Sequence, residues 1–209
     1  KQKMLSQGCN DTLIDESTTK GIEYLRNLCK DKDVRFFENR NFGWYGSAFW
    51  ATSAVVFHLV GELALARDLV DDIWSFRKDI SSTNTPLDGC SYFEAPDQVD
   101  DINLRIWNTA HTIIGLTRLT ELSPTGYNLS PFVRWLEYQQ NFGERINERL
   151  KGSWGINAAH IGGDSLSICS YAAIVALYKA KGTKAPIELG VKWFDRMIHE
   201  GDESKIGNT

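Results

Sequence analysis

The run Ile106-Trp107-Asn108-Thr109-Ala110-His111-Thr112-Ile113-Ile114-Gly115-Leu116-Thr117-Arg118-Leu119-Thr120-Glu121-Leu122 decides how the rest of the chain is read. Apolar and small residues fall on nearly every side of a 3.6-residue helix, which is the pattern of a helix enclosed by its neighbours. Ser123-Pro124 ends it. Two other stretches are of the same kind: 48–60, opened by Gly46-Ser47 and closed near Gly61, and 165–181, closed by Lys179, Lys181 and a left-handed cap at Gly182. The remaining periodic stretches are amphipathic. Residues 18–29 put Ile22, Leu25 and Leu28 on one stripe beside Tyr24, and 63–77 repeat the pattern with Leu65, Leu69, Ile73 and Phe76. Ser130-Pro131 opens a helix to about Gln140, with Ser as cap and Pro in the first turn, and Pro186 opens another through Trp193 to Ile198. No stretch alternates with period two for long enough to be a strand, so the fold class is all-α.

The helices recur in order. An aromatic anchor sits in each amphipathic helix, at Tyr24, Trp74, Trp135 and Trp193, at steps of roughly 50 to 60 residues, the range of a repeat architecture. After each of the first three comes a glycine-rich aromatic turn: Gly43-Trp44-Tyr45-Gly46, Gly89-Cys90-Ser91-Tyr92 and Gly152-Ser153-Trp154-Gly155. A small-residue apolar helix follows, carrying Ala51-Thr52-Ser53-Ala54, Trp107-Asn108-Thr109-Ala110 or Ser170-Tyr171-Ala172-Ala173. The amphipathic helix of each unit belongs outside and the apolar one inside.

In these residues the chain resembles the terpenoid cyclase and protein prenyltransferase superfamily, which includes the squalene–hopene cyclases. Gly-Ser-Trp-Gly at 152–155, Ile-Trp-Asn-Thr-Ala at 106–110 and the small-residue helix after Asp164-Ser165 carry the resemblance, over about residues 17–200. It implies an (α/α) toroid of inner and outer helices. With three complete units and the start of a fourth, the ring is expected to be incomplete. Residues 1–16 are then a polar N-terminal segment, 17–200 the repeat domain and 201–209 a truncated tail. The chain lacks an initiator Met and stops without a closing element, so it is read as part of a longer polypeptide.

The resemblance also implies chemistry that the residues can be tested for. A class II cyclase uses an Asp-x-Asp-Asp acid, in which clustered carboxylates keep one proton in place. The nearest match is Gln98-Val99-Asp100-Asp101, with Gln at the first position, which makes Asp100 and Asp101 the candidate acids; the plainer reading is a solvated acidic connector. Magnesium-binding Asp-Asp-x-x-Asp occurs only reversed, at 97–101, and the zinc-ligand position of the prenyltransferases falls on Asn108, whose amide does not replace imidazole. No metal and no cofactor is therefore assigned. Among seven tryptophans, those of the outer helices are read as packing. Trp50, Trp107, His111 and Tyr171, on inner-type helices, are the candidate ligand-binding residues of an aromatic wall.

Composition narrows the class. The chain has 209 residues, 42% hydrophobic and 24% charged, with a formal charge of −4. That is a globular composition without the clustered basic face of a nucleic-acid partner. No stretch is apolar enough to span a bilayer, and four scattered cysteines without a CxxC pair suit a reduced, cytoplasmic protein. The expected function is a ligand- or partner-binding or regulatory module, whose concave wall holds an isoprenoid-like apolar molecule or a protein segment. The alternative is part of a cyclase-like enzyme with Asp100 or Asp101 as acid.

Overall fold

A computed structural model describes residues 11–29, 46–81, 84–94, 102–123, 126–141, 148–155 and 167–199. Among them are seven helices and one two-stranded sheet: α1 (Asp11–Cys29), α2 (Gly46–Leu59), α3 (Leu63–Ser75), β1 (Arg77–Asp79), β2 (Ser91–Phe93), α4 (Ile102–Leu122), α5 (Ser130–Tyr138), α6 (Ser167–Lys179) and α7 (Lys184–His199). The chain is mostly helical, as the periodicity predicts. The hairpin corrects the expectation of no strand: Arg77 pairs with Phe93 and Asp79 with Ser91 in antiparallel register. Strands of three residues are too short to show alternation.

The three apolar helices form one layer. Helix α4 lies between α2 and α6. The residues on the α2–α4 seam are small, and an added Cβ at Gly115 would stand 2.7 Å from the Ala51 Cβ. Helix α3 turns back against α2 through Gly61, which has a φ of 85°. It buries Ala66, Leu69, Val70 and Ile73, the stripe its amphipathic sequence presents. Helix α1 joins at the α2–α3 corner, where the Arg26 guanidinium binds the Glu62 carboxylate and holds it below the usual carboxylate range. Leu25, Leu28 and Cys29 pack inward on α1, but Tyr24 is exposed and so is not the anchor its position suggests.

The aromatic turns seat the outer layer on the inner one by the same bond used twice. The Phe93 amide donates to Thr109 Oγ1 (2.9 Å), and the Trp154 amide donates to Ser170 Oγ (2.8 Å), each pair 16 residues apart. A buried amide has to find an acceptor, and a short hydroxyl on the inner helix supplies one without widening the seam. The turn aromatics then fill the space behind: Phe93 stacks on Phe132 at 4.4 Å, and Tyr92 stacks on Trp135 at 5.2 Å. Trp154 donates its indole N–H to the Leu136 carbonyl (2.8 Å), and Trp193 donates to the Arg149 carbonyl (3.0 Å). Trp135, Trp154 and Trp193 are thus packing residues with satisfied or enclosed rings.

Two cap expectations change. Ser130 lies inside α5, Leu129 holds the cap position, and Asn128 Oδ1 accepts the Ser130 amide instead. After α6 the left-handed residue is Lys181 (φ 56°), not Gly182. Gly182 lies close to its neighbours: an added Cβ would stand 3.1 Å from a Glu137 carboxylate oxygen and 3.2 Å from Leu177. The proposed cap at Asp164 or Ser165 lies outside the described residues.

Replacing Thr109 with Val keeps the shape and removes the acceptor for the Phe93 amide, so it is expected to cost about 1–3 kcal/mol with the helical circular dichroism unchanged; urea unfolding measures this. Gly152→Ala should cost more than the 1–2 kcal/mol of a left-handed Ala. Its backbone has a φ of 96°, and the new Cβ would collide with the Leu189 carbonyl oxygen at 2.3 Å. A Gly152→Ala protein as stable as the parent would contradict this packing.

Candidate functional site

Each inner helix carries a stripe of exposed or half-buried residues at the i, i+3, i+4, i+7 spacing: Thr52, Val55 and Leu59 on α2; Trp107, His111, Ile114 and Arg118 on α4; and Ile168, Tyr171, Val175 and Tyr178 on α6. On one side of α6 large apolar residues stand where polar ones are usual. On α6 the small residues Ser170, Ala172, Ala173 and Ala176 are buried, whereas Ile168, Tyr171 and Tyr178 are 43%, 61% and 71% exposed.

The stripes share a side of the layer. Ala51 meets Gly115, and further along His58 shares a cleft with Leu119 and Ser123, so α2 and α4 run parallel. The last turns of α4 and α6 likewise share a cleft, at Thr120 and Lys179. At 100° per residue, Ala51 lies about 70° from its stripe in one sense and Gly115 about 70° from its own in the other. In parallel neighbours that places both stripes on one face. On α6 the flank at Ile174 is taken by Gly190 of α7, which leaves the Ala172 and Ala176 flank to α4. One face of three helices results.

His111 is a half-buried titratable group of this face. Its ring lies 4.0 Å from that of Trp107, one turn earlier, at an interplanar angle of 46°. Nε2 is buried with no hydrogen-bond partner among the described residues. Desolvation of the imidazolium lowers its pKa below the ordinary 6.5, so the ring is held neutral. The face therefore offers apolar and aromatic surface around one uncharged imidazole.

The candidate residues divide. Trp107 and His111 come together on the face, and Tyr171 joins it from α6. Trp50 is 2% exposed, packed edge-on against Phe49 at 4.8 Å, on the side of α2 opposite Thr52 and Leu59. It belongs to the core between the layers. Asp100 and Asp101 lie outside the described residues. Leu59, Ile168 and Tyr178 were not singled out from the sequence; the signal was the segregation of large from small residues along α6. Among the described residues no cluster of His, Cys, Asp or Glu is placed to hold a metal ion, and no helix is long and apolar enough to cross a membrane. No protein-family model, curated protein or solved structure matches the chain.

Proton linkage gives a check on His111. The folded-state pKa lies below that of the unfolded chain, so as pH falls through 6.5 the unfolded state takes up the proton first and stability declines. Below the folded-state pKa the decline stops. An NMR titration of the His111 ring should show a midpoint under 6.5, and His111→Gln should lose less stability than the parent between pH 7 and that midpoint. A midpoint at or above 6.5 would remove the desolvated imidazole from the site.

Proposed function

We propose that the domain is a binding module built as an incomplete (α/α) toroid of the squalene-cyclase type, and that the shared face of its inner helices receives an apolar, isoprenoid-like ligand. The observation that carries this is on α6, where Ala172, Ala173 and Ala176 are buried while Ile168, Tyr171 and Tyr178 stand in solvent. Nothing in the stability of a helical layer calls for that arrangement. Ala or polar residues at Ile168, Tyr171 and Tyr178 would fold the same seam and expose less apolar surface. Contiguous exposed apolar surface is the mark of a binding face. Further support comes from the recurring amide–hydroxyl bond at Thr109 and Ser170, which is the behaviour expected of successive units of a repeat. In this reading the protein acts in the cytoplasm, a location that suits four scattered cysteines without a CxxC pair.

The chemistry of the face suits holding better than turnover. His111 is kept neutral, Arg118 is paired with Glu121 at 2.7 Å, and the other stripe residues are aliphatic, aromatic or hydroxyl-bearing. An aromatic rim can also stabilise a cation. A cyclase-like reaction would require an acid, for which Asp100 and Asp101 are the candidates.

Farnesol, measured by equilibrium dialysis with radiolabelled compound, is the probe. A large buried apolar side chain is worth about 1.5–3 kcal/mol, so Trp107→Ala and Tyr171→Ser should each weaken binding by roughly tenfold or more, and Tyr171→Ser, at a residue 61% exposed, without changing the unfolding midpoint by a comparable amount. The lack of saturable farnesol binding, or equal binding by both variants, would rule the reading out.

A further inference from the structure

Successive outer helices use one register to receive the next unit. Helix α3 buries Ala66, Leu69, Val70 and Ile73, and the α5 stretch buries Phe132, Trp135, Leu136 and Gln139 with the same spacing. The residue that follows each set is where the next unit sits. Trp74 meets Phe93 of the next turn at 6.0 Å and Phe132 of the next outer helix at 5.5 Å. Gln140 donates to the carbonyls of Gly152 and Pro186, again the next turn and the next outer helix. Helix α7 is aligned with α5 by the turn beneath it. Gly190 lies against Trp154, where an added Cβ would stand 2.9 Å from the indole, as Phe132 lies against Phe93. Leu136 and Gln140 then correspond to Phe194 and Ile198. The first two are buried, whereas Phe194 is half-buried and Ile198 is 70% exposed. The receiving face of α7 stands open.

This face carries a pattern of its own. At 100° per residue, Ile187, Val191, Phe194 and Ile198 fall within about 60° of one another, a single apolar stripe, and Val191 is 53% exposed. Gly190 and Trp193 lie to one side of it and are buried. Along the other side run Lys184, Glu188, Lys192 and Asp195, alternating in sign. Lys184 pairs with Glu188 at 3.1 Å and His199 with Asp195 at 3.4 Å. Both pairs are exposed, and such pairs add little to stability. Lys192 has no carboxylate partner among the described residues.

The row of charges is complementary to its own reverse. When α7 lies antiparallel to a second α7, with residue 190 at the centre, a two-fold axis brings the same flank of both helices together. Glu188 then falls opposite Lys192 and Lys184 beside Asp195, each pairing occurring twice. In the same register Val191 meets Val191 across the axis, and Ile187 meets Phe194. We infer that α7 is an isologous interface whose partner is a second copy of this chain. A closed two-fold covers the stripe on both subunits and leaves no half of it open. One helix pair is a small interface, so the dimer is weak and depends on concentration. It uses an outer helix, a surface separate from the inner-helix stripes.

The test is sedimentation equilibrium across a wide range of protein concentration, with the parent expected to pass from monomer to dimer. Val191→Glu and Ile198→Glu, each checked for an unchanged helical spectrum, should raise the dimer Kd about tenfold or more. Glu188→Lys and Lys192→Glu each set like charges opposite one another twice across the axis, and each should raise it by about threefold to tenfold. The double variant with both swaps should return it to within about twofold of the parent, because the pairing is restored with its signs exchanged. The inference is overturned if the parent stays monomeric at every concentration, if Val191→Glu associates as tightly as the parent, if neither single swap weakens the dimer, or if the double variant is no tighter than the single swaps.

Discussion

The approach of Gly115 to Ala51 is the constraint from which the rest of the architecture follows. A Cβ at Gly115 would also stand 2.9 Å from the Ala51 carbonyl carbon, so the two backbones are as near as they can come. At that separation a large residue on the seam has no room, and neighbouring inner helices must present Ala, Gly, Ser or Thr to one another. Large apolar residues on the same helices then have two destinations. They turn outward into the second layer, as Trp50, Phe57, Ile106, Ile113 and Leu116 do, or they turn to the open side, as Trp107, Ile168, Tyr171 and Tyr178 do. The open aromatic face is a consequence of a tight seam combined with side chains that are too large for it.

The same closeness explains the aromatic turns. With the inner helices tightly packed, the outer helices cannot interdigitate with them everywhere, and the turns fill what remains. Phe93 and Trp154 project from backbone whose amides are tied to Thr109 and Ser170, so each ring is fixed in height above the layer. Gly152 has to be left-handed beneath Leu189 for this to work, and Gln140 bridges the Gly152 and Pro186 carbonyls at 3.0 and 2.8 Å. Glycine in the turns therefore records a steric requirement of the next outer helix.

Much of this was legible in the residues. Helices α2 to α7 begin and end within about four residues of where periodicity and punctuation put them, because buried apolar faces and Gly or Pro boundaries are strong local signals. The hairpin was not legible, since three-residue strands stabilised by the Arg77–Phe93 pairing leave no period. Side-chain roles were legible only where one helix face differs from another. On α6 the division between Ala and Tyr is visible in the residues themselves, and Tyr171 follows from it. On α2, apolar on all sides, Trp50 gives no sign of which way it turns, and only the packing of α3 and α4 around it shows that it is core.

His111 shows how far a residue type underdetermines a role. A histidine on an inner helix, with acidic residues elsewhere in the chain, invites a catalytic assignment. Among the described residues its Nε2 has no hydrogen-bonded partner, and desolvation by burial lowers its pKa and favours the neutral ring beside Trp107. A neutral ring tilted against an indole contributes shape, polarisability and one localised dipole. Those are the properties on which the proposed apolar site draws, and they tie the chemistry of the face to the desolvation around His111.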